Sequence, residues 1–391
     1  MSEVPTREDE VLNLVRRLPP GLEQTREMLL ANLIMLGEVP APTFHERERI
    51  ELLVQRFTEC GLTNCSIDEA GNALAVMPGS VGSQKVLITA HADTPFPETI
   101  PHTMSVDKDR ITGPGVADNS LGLAVLATLP TMLEHLKIRL RSDVVFMGAT
   151  KSLGRGNLEG LRFFLSNSDL PIKAGISVEG AQLGRLHYAS LATLDGEISC
   201  HVSSEAIDGE EPTENAILAL VHVIDRIRDM PLPEASTRVV LGSVEGGTSY
   251  KTPARSALLC FQVRSESDEA LATVEKGIRG IVQEAGRSGG VKIEFRGIAR
   301  TKAGGINSDH PLILHTRRIM AALGIQPRSD RFSSTVSSFI EHDIPSITLG
   351  VSRAVHLNER NESVFISPMS KGLAQLIGVL LMIDGGCCDR Y

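Results

Sequence analysis

The residues whose types and spacing could do chemistry are gathered in a few places along this chain, and the first is Val86–Asp93, VLITAHAD, where an apolar run stops at His91 and Asp93. Val86, Leu87 and Ile88 have no polar partner face, which predicts a central strand covered on both sides. Side chains at i and i+2 of a strand point the same way, so an imidazole and a carboxylate can meet at its carboxyl end, the edge where open α/β sheets bind ligands. Two readings are open at this point: a metal-ligating His whose ring is oriented by Asp93, or a core histidine paired with a loop aspartate. Three more positions follow the same rule. Asp118 ends a glycine-punctuated loop (ITGPGVAD) ahead of the Leu- and Ala-rich pattern Ser120–Leu136; Glu179 directly follows the apolar run Ala174–Val178; and His356 comes six residues after PSITLG. A carboxylate at a helix start is also an ordinary cap. Two imidazoles and two carboxylates at the ends of strands of one sheet form a ligand set suited to Zn²⁺, whereas Mg²⁺ would ask for more oxygen.

The elements that must position these groups read as follows. Two helical patterns, about 21–37 and 45–60, are separated by Pro40 and Pro42. Short strands near Ser66–Asp68 and Ala73–Met77 predict a hairpin-like edge, and Asp143–Met147, Ala174–Val178 and Pro345–Gly350 predict further core strands. A helix is expected near Leu158–Leu165 and a last one over Pro368–Ile383. Between about 191 and 302 the grammar changes to polar, alternating strands with helical patterns at Glu214–Arg228 and Asp268–Glu284. The fold class expected is α/β: a domain with a mostly parallel sheet flanked by helices, residues 1–190 and 303–391, interrupted by an inserted α+β domain, residues 191–302.

The chain has 391 residues, enough for two cores. A net charge of −9 with scattered Lys and Arg gives no footing for nucleic acid or an anionic membrane. No apolar run approaches the roughly 20 residues of a membrane span, and the acidic start MSEVPTREDE lacks the order of a signal peptide. Six cysteines without a CxxC do not make a disulfide framework. A cytoplasmic protein is expected.

These motifs together resemble the zinc aminopeptidase, carboxypeptidase and aminoacylase family that includes peptidase T and carboxypeptidase G, over nearly the full length. VLITAHADT is similar to that family's His-x-Asp-Thr strand end, GPGVADNSLG to its loop with the metal-bridging Asp, and GISVEG to its strand with an acidic ligand. VEGGTSYKTPARSALLCFQVRSES resembles its Gly-Gly-Thr-Ser segment, and EHDIPSITLG with His356 its last strand and last ligand. The resemblance implies a catalytic domain split by a dimerisation (lid) domain, a homodimer, and zinc-activated water hydrolysing the amide of a small peptide or N-acyl amino acid. It implies His91, Asp118, Glu179 and His356 as metal ligands, Asp93 as the group orienting His91, and Arg264 as a substrate contact, with Lys251 standing where the family has Asn and His201 as the only nearby substitute for a dimer-domain His that has no counterpart between 202 and 221, both candidate substrate contacts.

The departures are equally specific. The family carries a Glu-Glu pair after the second core strand, one the general base and one a metal ligand, and here the loop reads GATKSLGRGNLEG with no carboxylate between Asp143 and Glu159. The pair falls on Lys151-Ser152 or on Ser152-Leu153, and in the first case Lys151 replaces the base. One metal site therefore keeps three ligands and the other loses one, so at most one Zn²⁺ per chain is expected. The alternative is a homodimeric relative without catalysis that binds a small ligand in the former cleft.

Overall fold

The computed structural model describes residues 6–202, 214–288, 290–329 and 335–389. In chain order the principal strands are β1 (Thr63–Ile67), β2 (Ala73–Met77), β3 (Lys85–His91), β4 (Asp143–Ala149), β5 (Ile172–Glu179), β6 (Leu186–His187), β7 (Ala192–Val202), β8 (Arg238–Gly246), β9 (Ser256–Ser265), β10 (Val291–Thr301) and β11 (Ser346–Gly350). The chain divides into two compact units, Met1–Ala189 with Gly305–Tyr391, and Ser190–Gly304.

The first unit is built on a seven-stranded sheet in the order β1-β2-β4-β3-β5-β11-β6. β3 runs parallel to β4 and β5, and β5 parallel to β11, while the outer strands are antiparallel. The central strands are apolar on both faces because both are covered. Val86, Ile88, Phe146, Ile176 and Ile347 lie in one core cluster together with residues of helices Arg26–Gly37, Leu121–His135 and Met369–Asp384, and Leu87, Val145 and Met147 in another with Leu161 of helix Glu159–Asn167 and Phe339. Since β3, β5 and β11 all run one way, His91, Glu179 and Gly350 finish at the same edge, with Gly350 paired to Glu179 and His91 to Ala149.

Some local structure differs from the expectation. A first helix, Arg7–Val15, precedes the two that the sequence pattern indicated; Thr6 and Asp9 close it with a reciprocal capping box. A small sheet of Ser105–Val106, Arg110–Thr112, Ala354–Val355 and Ser363–Phe365 has no sequence counterpart, since strands of two or three residues leave no periodic signal. Among the described residues one helical stretch, Val116–His135, is long and apolar enough to cross a bilayer, contrary to the absence of such a run expected from the sequence; 89% of it is buried inside the protein, as a core helix is.

The second unit has a four-stranded antiparallel sheet, β8-β9-β7-β10, covered by helices Ala216–Arg228 and Asp268–Ala285. Asn215 and Ser267 cap those helices with side-chain oxygens on backbone N–H groups. Ser203 and Ser204, the end of the first polar strand in the sequence pattern, lie outside the described residues.

Candidate metal centre

His91 is the last residue of β3, and its ring is held at both nitrogens. Nδ1 lies 3.0 Å from the carbonyl oxygen of Asp93, which only accepts, so Nδ1 carries a hydrogen. Nε2 then faces Asp118 Oδ1 at 3.0 Å and Glu179 Oε2 at 3.9 Å. Ligand atoms of these three side chains all lie within 4.8 Å of one another, and no other such group of His, Cys, Asp and Glu occurs among the described residues.

Asp118 owes its place to its neighbours. The Asp118–Asn119 peptide is cis. The Asn119 side chain donates to Val178 O at 2.7 Å and accepts from Gly122 N at 3.1 Å and Gly180 N at 2.9 Å, tying this turn to the end of β5. Gly180 permits the approach, since a Cβ there would fall 2.4 Å from Ala117 O. From the other side Glu362, fully buried, accepts from Ala117 N at 2.6 Å and Asp118 N at 2.8 Å. Asn119 and Glu362 carry no periodicity or motif by themselves; only the adjacency of Asn119 to the candidate ligand could have drawn attention to it.

Asp93 touches His91 mainly through its backbone. Its carboxylate stands 3.5 Å from Nδ1 through Oδ1, while Oδ2 accepts from Thr43 Oγ1 (2.9 Å), Ser152 N (2.9 Å) and Leu153 N (2.7 Å). The carboxylate thus anchors the loop after β4. Beneath it Arg49, fully buried, donates to the carbonyls of Gly37, Val39 and Ala92. Burial brings that guanidinium down to about 10, against the charges of Asp93 and Glu46.

The charges follow from these contacts. For His91, burial disfavours the cation, but the hydrogen bonds to Asp118 and Asp93 and the charges of Glu179 and Asp118 outweigh it, and the ring is held well above its ordinary value. Burial pushes Asp118 up, yet the His91 bond and the charges of His91 and Arg185 bring it below the usual carboxylate range. Glu179 is raised, by burial first and by Asp118, against His91 and Arg185. Arg185, with Nη1 3.8 Å from Glu179 Oε2, is a cation that no sequence pattern places here, because it sits in a loop without periodicity.

Not all the sequence-derived residues converge. His356 is half exposed, with Nδ1 3.6 Å from Glu359, and it is outside the triad. The ammonium of Lys151 bonds to Glu159 at 2.7 Å on the next helix, so the positive charge facing Asp118 comes from His91 and Arg185. His201 on β7, Arg264 on β9 and Lys251 between β8 and β9 all belong to the second unit, and all are exposed. A cavity of about 610 Å³ borders Ala174, Ser346 and His310 at the amino ends of β5 and β11, the opposite edge from the triad, and is not part of this centre.

The triad fits one divalent ion. Tetrahedral bonds of about 2.0–2.1 Å to N and O imply ligand–ligand separations near 3.3 Å, and the observed 3.0 and 3.9 Å bracket that spacing. One imidazole with two carboxylates suits Zn²⁺ or a neighbouring transition ion. A second ion sharing Asp118 would find no carboxylate between residues 143 and 159.

No family model and no curated relative matches the sequence. Solved structures do. The aminopeptidase PepT from Bacillus cereus superimposes with a TM-score of 0.67 at 19% identity, over 92% of this chain and 98% of that one. The di-peptidase Dug1p from Saccharomyces cerevisiae gives 0.74 at 13% identity, over 96% and 98%. The Bacillus subtilis YXEP protein, described as a dinuclear metal binding peptidase from the M20 family, gives 0.63 at 16% identity, over 92% and 99%. The fold of this chain is therefore the one that these solved peptidase structures share.

Proposed function

We propose that the chain is a metal-dependent amide hydrolase of the peptidase type, acting on small peptides or N-acyl amino acids, with a site reduced to one ion. The observation that carries this is the His91–Asp118–Glu179 triad at the carboxyl edge of a peptidase fold. A bound Zn²⁺ would polarise the scissile carbonyl and lower the pKa of water. His91, Asp118 and Glu179 would hold it, the Asp93 carbonyl fixes the His91 tautomer, and Asn119 keeps Asp118 in reach. The general base is missing from the loop after β4, and such a loss typically costs about 10²–10⁴ in rate.

A second reading is favoured by that same loop: a relative without turnover that binds a small ligand at the metal. The decisive measurement is hydrolysis of di- and tripeptides and N-acetyl amino acids by protein purified without chelator, beside His91→Ala. Turnover abolished by His91→Ala supports the hydrolase; no turnover with metal bound in full supports the second reading.

The remaining assignments are proposals of the same kind. The first unit is the catalytic domain and the second a dimerisation domain, supported by exposed apolar residues Leu218, Val221, Val240, Leu241 and Val244 on one helix and an edge strand. Arg264, Lys251 and His201 would contact substrate, and a cytoplasmic setting accords with the six free cysteines.

A further inference from the structure

Two carboxylates 13% and 29% exposed, each close to one imidazole, need more positive charge than that ring supplies. Lys151 is committed to Glu159, and Arg49 acts on Asp93 and Glu46. Arg185 acts on both Asp118 and Glu179. Its guanidinium lies 3.8 Å from Glu179 Oε2 through Nη1, and its Nε donates to Gln182 Oε1 at 3.2 Å.

The backbone that carries Arg185 is fixed on both sides. Leu183 N donates to Ser352 O at 2.8 Å, Arg185 N to Gln182 O at 2.8 Å and Leu186 N to Arg328 O at 3.0 Å. Gly184, at φ +99, lets the turn close where a Cβ would stand 2.5 Å from Gln326 O. Only 19% of the Arg185 side chain is exposed. It is aimed at the triad by a built turn, unlike a lysine or arginine free at the surface.

We propose that Arg185 is the resident cation of this centre: in the metal-free protein it balances Asp118 and Glu179, and it opposes the entry of a divalent ion, so metal binds only by displacing that contact. The second half rests on the metal reading of the triad; the first half does not. Two like charges cannot share the same carboxylates without cost, so Arg185 sets the affinity for the ion that does bind and disfavours a second one.

The test uses the full chain stripped with chelator, as wild type, Arg185→Met and Arg185→Lys, followed by thermal melting and by titration with Zn²⁺ against a chromophoric chelator. Arg185→Met should melt lower by about 2 °C or more without metal, and should bind Zn²⁺ at least about tenfold tighter. Arg185→Lys should stay near wild type in both. Arg185→Gln carries the Met expectation should that variant fail to accumulate. An unchanged melting temperature in the uncharged variants, or a drop shared by Arg185→Lys, overturns the balancing role; zinc binding no tighter than wild type overturns the competition. If the melting temperature falls as expected but neither protein binds Zn²⁺, the metal reading of the triad fails while the balancing role is supported.

Discussion

Glu362 contributes to the pH response expected of the metal-free centre. Burial holds its carboxyl up at about 7, against the backbone N–H groups of Asn358, Asp118 and Ala117 and with the Asp118 charge adding to it. A Glu in the unfolded chain titrates near 4.3. Between those values the folded chain keeps a proton that the unfolded chain has released, so stability is full below about 4.3 and falls as pH rises toward 7. Glu362→Gln should flatten that part of the melting-temperature profile in chelated protein; an unaltered slope between pH 5 and 7 contradicts the assignment. Metal content belongs to the same scale. One Zn²⁺ per chain or fewer is expected by elemental analysis, and two at full occupancy would show that His356 or another group completes a second site. Of the groups named from sequence, His91, Asp118 and Glu179 converge because each follows a strand end or loop whose apolar lead-in is visible. His356 is not in that group of three; five residues separate it from β11, two of them the short strand Ala354–Val355. Arg185 and Glu362 were illegible for a different reason: burial and pairing of a charged loop residue are tertiary facts without periodicity.

At the scale of elements, the central strands were legible because parallel, doubly covered strands such as Lys85–His91 are nearly continuous apolar runs; the antiparallel strand Ala73–Met77 also matched its predicted span to the residue. Helix ends moved by one or two residues, as with Asp268–Ala285 against the expected Asp268–Glu284. What the pattern could not show was the joint between elements. Asn119, 1% exposed, is such a joint, binding the turn before helix Leu121–His135 to the end of β5. Asn119→Ala removes three buried hydrogen bonds and should cost about 2–4 kcal/mol of stability, with metal affinity falling by about 10–100-fold. Urea melts and a zinc titration check both, and a change under about 0.5 kcal/mol would show that the turn is held by something else. The exposed edge β8 raises another expectation. An edge strand paired only to β9 among the described residues, with Val240, Leu241 and Val244 exposed, invites a partner, and a symmetric dimer is the commonest closed solution. Sedimentation should show a dimer that Val244→Glu with Leu241→Lys converts to monomer; a wild-type monomer at micromolar concentration excludes it.

For the whole molecule, two units with separate cores mean that one melting curve need not describe the chain. The second unit has its own buried cluster, including Leu220, Leu259, Phe261 and Ile278. Ligand binding stabilises only what it binds, so calorimetry should resolve a transition that Zn²⁺ raises and another that it leaves in place. A single transition shifted as one would show that the units unfold together.

The loop after β4 also bears on descent. Ser152 and Leu153 give their backbone N–H groups to Asp93, and Lys151 sits at φ +52 with its side chain against Glu159. A glutamate restored at position 151 would meet Glu159 as a like charge, and one at position 152 would hang from a backbone already committed elsewhere. A carboxylate at position 151 therefore asks for Glu159 to move as well. Substitutions that each need the others first are rarely retraced one at a time. On the single-ion reading proposed above, the loop after β4 holds the centre to what one ion can do.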